Sequence, residues 1–131
     1  MAPGTVASAA TAAVLWLLAL STPARVAALI VVTVAGTWAA HEAERALGAR
    51  DPGAIVVDEV AGMTLAVLTL PLTAGALAVA FVLFRIFDIL KPFPAGAAQR
   101  LPGGFGVMVD DLVAGAYALA LASLARRMGW L

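Results

Sequence analysis

The strongest constraint on this chain is the length of its charge-free runs. Residues 6–20 and 26–40 contain no charged side chain. The second run continues as a predicted helix through Leu47. Further apolar segments run from Ile55 to about Leu70, from about Thr73 to Leu90, and from about Val107 to Arg127. A membrane crossing needs about 20 apolar residues, with a range of about 17–25. By that measure segments two, four and five are long enough, segment three is marginal and segment one is short. Of the 131 residues, 63% are hydrophobic and 12% charged, against about 25% charged in a soluble domain. So small a sphere has too few polar residues here to cover its surface. The expected fold is all-α: a small polytopic membrane helical bundle of about five helices, one integral membrane domain over residues 1–131.

The breaks between segments carry ordinary helix-ending chemistry. Pro23 suits the first turn of helix two. Gly48 to Gly53 reads as a turn. Lys91-Pro92-Phe93-Pro94 stops helix four, because two prolines forbid its continuation. Pro102-Gly103-Gly104-Phe105-Gly106 reads as a flexible loop. No basic residue precedes the first apolar run, which argues against a cleaved signal peptide.

Several function classes are excluded. The net charge is zero and there is no basic run, so nucleic-acid binding is unsupported. The absence of cysteine removes disulfides, thiolate zinc sites and cysteine nucleophiles. His41 is the sole histidine, so no mechanism can require two.

Alternation of five spans sorts the charges. Arg25, Arg126 and Arg127 fall on one side, leaving 13 of the 16 charged residues and His41 on the other. Lys and Arg divide five to three in favour of the crowded side, which points to a cytoplasmic orientation for it. Four carboxylates on that side form adjacent pairs, Asp58-Glu59 and Asp110-Asp111. Gly62 lies four residues after Asp58 and Gly115 four after Asp111, so each shares a helical face with its acid. Glycine at such a position lets another helix or a ligand approach closely. Arg85, Asp88 and Lys91 follow at i, i+3 and i+6 on one face.

Asp58, Glu59, Asp88, Asp110 and Asp111 would repel one another if they converged. Like charges about 4 Å apart cost about 4 kcal/mol at an effective dielectric near 20. A proton or a cation must then sit among them. A ligand set of oxygens suits Mg²⁺ or Mn²⁺ better than Zn²⁺. Arg85 and Lys91 could neutralise a phosphate that the acids alone would repel. Glycines before helix starts, at Gly4-Thr5, Gly53 and Gly103 to Gly106, would expose N–H groups to an anion. His41 is either an acid/base group or phosphate contact, or a plain interfacial polar residue. Asp51, in Asp-Pro-Gly, is a turn residue or a further ligand.

Three of these stretches together resemble one known family. IVVDEVAG (55–62), FRIFDILKPFP (84–94) and GGFGVMVDDLVAGAYA (103–118) are similar to motifs of the phosphatidylglycerophosphatase A family, and APGTVAS (2–8) and His41 to Gly53 also fit. The resemblance implies a small Mg²⁺-dependent phosphatase of the bacterial inner membrane, multi-pass, with its site at the cytoplasmic face. It implies hydrolysis of phosphatidylglycerophosphate to phosphatidylglycerol and inorganic phosphate. The acidic motif positions fall on Asp51, Asp58, Glu59, Asp88, Asp110 and Asp111, the basic ones on Arg85 and Lys91, and the histidine on His41. These imply metal ligation and catalysis by the acids, and substrate binding by Arg85, Lys91 and His41. Two departures stand out. Met1 takes the place of an upstream Gly-, Ser- and Pro-rich segment, implying that the family's N-terminal segment is missing. Gln99 stands where members often have Asp.

Attack on phosphorus by water and attack by an aspartate are both open to this residue set. The rival classes are an ion or proton transporter, whose acids would line a path through the bilayer, a phospho-alcohol transferase, whose spaced aspartate-glycine-alanine-arginine signature is absent, and a structural membrane subunit.

Overall fold

A computed structural model of the chain describes residues 3–47, 52–90 and 104–130. It is all-helical over these residues. The five helices are α1 (Pro3–Leu18), α2 (Thr22–Leu47), α3 (Pro52–Ala66), α4 (Ala74–Leu90) and α5 (Gly104–Arg127). Prolines open α1 and α3 and stand second in α2, where a missing N–H costs no intrahelical bond.

Boundaries differ from the sequence expectation in two places. First, Gly104-Phe105-Gly106 is the opening turn of α5 rather than a loop, and Gly4-Thr5 and Gly53 lie inside the first turns of α1 and α3. N–H groups of a first turn have no intrahelical partner, so these glycines expose them from within the helix, not ahead of it. Second, α3 ends at Ala66 rather than near Leu70. The chain tightens into turns there, with the amide of Leu68 donating to Leu65 O at 3.1 Å and that of Leu70 to Val67 O at 3.2 Å. Pro71 disfavours helical backbone in the residue before it.

Among the described residues, two helices are long and apolar enough to cross a membrane, over Thr22–Glu42 and Met108–Arg127. The others have 16, 15 and 17 residues. At 1.5 Å per residue these rise about 22–26 Å, against a hydrocarbon thickness of about 30 Å. Helix four, expected to span comfortably, is therefore at the lower limit. Large apolar side chains line the outside, among them Leu17, Val34, Trp38, Ile89 and Leu90, while Asp58, Glu59, Asp110 and Asp111 are buried. That inversion of the soluble pattern suits a lipid surround.

The shortest helix is the hub: α3 packs against each of the other four. Met63, Ala66, Val67 and Leu70 from α3 and its following turn meet Leu77, Ala80 and Phe84 of α4 and the stripe Ala114, Ala118, Ala122 of α5. The tightest crossing lies at Gly62 and Gly115. A Cβ on Gly115 would collide with the carbonyl oxygen of Gly62, and one on Gly62 would stand 2.8 Å from Asp111 O and 2.6 Å from the Phe84 ring. Two backbones touch there because neither carries a side chain. The sequence offered helix or ligand as the reason for these glycines, and the answer is a helix.

At the other end, buried Arg25 ties three elements together. Its Nη1 donates to Val67 O at 2.6 Å and to Leu70 O at 2.7 Å, and its Nε donates to Leu20 O at 3.1 Å. It thereby satisfies carbonyls freed where α3 stops. Hydrogen bonds to a charged group contribute about 1.5–3 kcal/mol each. We predict that Arg25→Ala lowers the thermal midpoint in detergent clearly more than Arg126→Ala, because Arg126 is exposed. Equal midpoints for the two variants would contradict this cap.

Candidate active site

The alternation of helices brings the second turns of α1, α3 and α5 to the same end of the bundle as the last turns of α4. Glu59 of α3, Asp88 of α4 and Asp111 of α5 converge there, each offering a carboxylate oxygen within 4.8 Å of the others. Glu59 and Asp111 are buried and Asp88 is partly so. The Gly62–Gly115 crossing explains the approach of the first two. It sits one turn further along both helices and holds their backbones together.

One guanidinium partly balances these acids. Arg85 Nη1 lies 2.9 Å from Glu59 Oε2 and 3.0 Å from Asp88 Oδ2. The first contact crosses from α4 to α3, so Arg85 is more than a rung of a helical ladder. Ser8 of α1 donates to the same Glu59 oxygen at 3.2 Å. Asp111 Oδ2 is buried with no hydrogen-bond partner. Three carboxylates, one guanidinium and an unsatisfied buried oxygen make a set that fits a hard divalent cation, which takes oxygen ligands and offsets like-charge repulsion.

The remaining residues singled out from the sequence divide as follows. Asp58 and Asp110 are buried, and Asp58 is near enough for its charge to act on Asp111. Neither joins the three converging oxygens. Adjacent helical residues point about 100° apart, so one member of each pair faces the group. His41 is not one of the three converging residues; it lines a cleft of about 400 Å³ between α2 and α5 with Thr33, Trp38, Met108 and Leu112, the last two flanking Asp110-Asp111. Asp51 and Lys91 lie outside the described residues. Sequence reasoning missed Ser8. The signal available was a hydroxyl in the second turn of an otherwise apolar helix, within the APGTVAS stretch. It also assigned Arg25 only to a side of the membrane, without a partner, though a lone arginine beside an apolar run commonly marks a buried one.

Comparison with known proteins agrees with the motifs. The family model described as Phosphatidylglycerophosphatase A matches residues 1–126. A protein of Escherichia coli (strain K12) named Phosphatidylglycerophosphatase A is 38% identical over 117 residues, 86% of this chain and 67% of its own length. Its namesake in Haemophilus influenzae is 40% identical over 86 residues, 64% of this chain and 53% of its own. A Bacteroides thetaiotaomicron protein, provisionally named phosphatidylinositol-3-phosphatase, is 43% identical over 104 residues, 76% of this chain and 65% of its own. The chain thus spans between about half and two thirds of the length of these relatives. No solved structure matches it.

Removing the guanidinium should expose the repulsion it balances. Losing one partner of a fully buried ion pair costs about 3–5 kcal/mol, and the partly buried Arg85 should cost less than that. We expect Arg85→Ala to unfold at markedly lower temperature than the parent in chelator, and to recover part of that loss in millimolar Mg²⁺ or Mn²⁺. A midpoint indifferent to metal would count against a shared cation site.

Proposed function

Since the chain belongs to the phosphatidylglycerophosphatase A family, we propose that it is a metal-dependent lipid phosphatase that hydrolyses phosphatidylglycerophosphate to phosphatidylglycerol and inorganic phosphate. The observation that carries this reading is the convergence of Glu59, Asp88 and Asp111, whose carboxylate oxygens lie within 4.8 Å of one another, with Arg85 beside two of them. A phosphomonoester dianion needs positive charge to enter an acidic site, and this arrangement has a place for it.

Glu59, Asp88 and Asp111 would hold Mg²⁺, with Asp51 as a further ligand from outside the described residues. When bound, the ion polarises phosphoryl oxygens and offsets charge that develops on them. The other work falls to the chain. The Arg85 contacts to Glu59 and Asp88 use Nη1 alone, leaving donors of its planar fork for a phosphate oxygen. From outside the described residues, Lys91 would be a second phosphate contact, as the family motif implies, and His41 would be a third. Asp58 and Asp110 complete the catalytic acid set beside the three ligands. The apolar exterior keeps the lipid tails in the bilayer while the headgroup reaches the acidic end. We place that end at the cytoplasmic face of a bacterial inner membrane, following the excess of Lys and Arg there.

A transporter would need ionisable groups along a path. The buried carboxylates of the described residues all lie toward one end, in the second turns of α3 and α5, which favours surface chemistry over conduction.

The test is phosphate release in detergent from phosphatidylglycerophosphate, with phosphatidylinositol 3-phosphate in parallel. Release should require Mg²⁺ and stop in excess EDTA. Asp111→Asn should reduce it by about 100-fold or more, since even outer-shell changes at metal sites cost about 10–100-fold. Activity undiminished in EDTA would overturn the metal dependence. Faster release from the inositol lipid would overturn the headgroup assignment and leave the phosphatase reading intact. A transporter or structural subunit would release no phosphate from either.

A further inference from the structure

We propose that Ser8 is a positioning residue for the metal site, so that α1 is part of the catalytic apparatus and not only of its membrane support. This rests on the metal-dependent reading above but concerns a residue outside the acidic and basic motifs that support that reading.

Ser8 is fully buried on α1, in the second turn, and its hydroxyl donates to Glu59 Oε2 at 3.2 Å across a separation of 51 residues. Arg85 Nη1 donates to that same oxygen at 2.9 Å. A carboxylate has about four lone-pair sites, two on each oxygen. Two donors, from α1 and from α4, therefore occupy Oε2 and leave Oε1 as the atom with capacity for a cation. The two donors also fix the plane of the carboxylate. Glu59 has a longer and looser side chain than an aspartate and loses more rotamer freedom when held in one geometry. A single donor would let it pivot; a second, approaching from another helix, prevents this. Polar partners that orient metal ligands in this way tune affinity by about 10–100-fold.

A bland alternative is that Ser8 merely fills space between α1 and α3. Three substitutions separate the readings. Ser8→Ala removes the donor and leaves a small gap. Ser8→Cys retains the bulk and offers only a weak donor. Ser8→Thr keeps the hydroxyl. The primary readout is Mn²⁺ binding to the detergent-purified protein, followed by electron paramagnetic resonance of the free ion, with the thermal midpoint in chelator beside it. Positioning predicts binding about 10-fold weaker in both Ser8→Ala and Ser8→Cys, with near-parental affinity in Ser8→Thr. At saturating metal, KM for the lipid should be unchanged in all three. Parental Mn²⁺ affinity in Ser8→Ala overturns the proposal, and so does recovery in Ser8→Cys, which would show that bulk alone matters. If Ser8→Thr fails to fold, the Ala and Cys pair still decides. Parental protein that binds Mn²⁺ but releases no phosphate would sink the substrate reading and leave this one standing. Parental protein that binds no Mn²⁺ would sink both.

Discussion

Two backbones in contact set the geometry of this protein. At Gly62 and Gly115, α3 and α5 approach more closely than any side chain permits. Ridge-and-groove packing with ordinary side chains holds helices about 8–10 Å apart. Small residues at the crossing bring these two closer, and the buried carboxylates one turn away come with them. Phe84 closes over the same glycine from α4 and brings the Arg85–Asp88 turn into register. The convergence of these carboxylates thus depends on two absent side chains.

Concentrated negative charge needs compensation, and the fold supplies it sparingly. Among the described residues, Arg85 is one cation against three converging carboxylates, with Asp58 and Asp110 also buried. Low dielectric strengthens both the attraction to Arg85 and the repulsion among the acids. The resulting deficit of positive charge is what a divalent ion and the cationic partners of a phosphate would fill.

Much of this was legible in the sequence, and the reasons are specific. Charge-free runs fixed the number of helices, because a lipid-facing segment tolerates few alternatives. Acids four residues from glycines marked the crossing. What escaped was anything without a pattern. Nothing in Asp58-Glu59 indicates which carboxylate turns inward, since that depends on the rotation of α3 against its neighbours. Ser8 and Arg25 are single polar residues within or beside apolar runs, and their partners lie 51, 42 and 45 residues away. The early end of α3 left no mark in the apolar run Val67 to Leu70, which forms tight turns ahead of Pro71.

The Arg25 cap bears on how such a chain is built. Two of its three acceptors, Val67 O and Leu70 O, are made after it during synthesis, and only Leu20 O precedes it. Until they arrive, the guanidinium must remain hydrated or snorkel toward a headgroup. Docking of α3 is therefore the event that allows the start of α2 to shed its water. Because α3 also contacts every other helix, assembly of the bundle would pivot on its shortest member, with the first two helices inserted but incomplete before it.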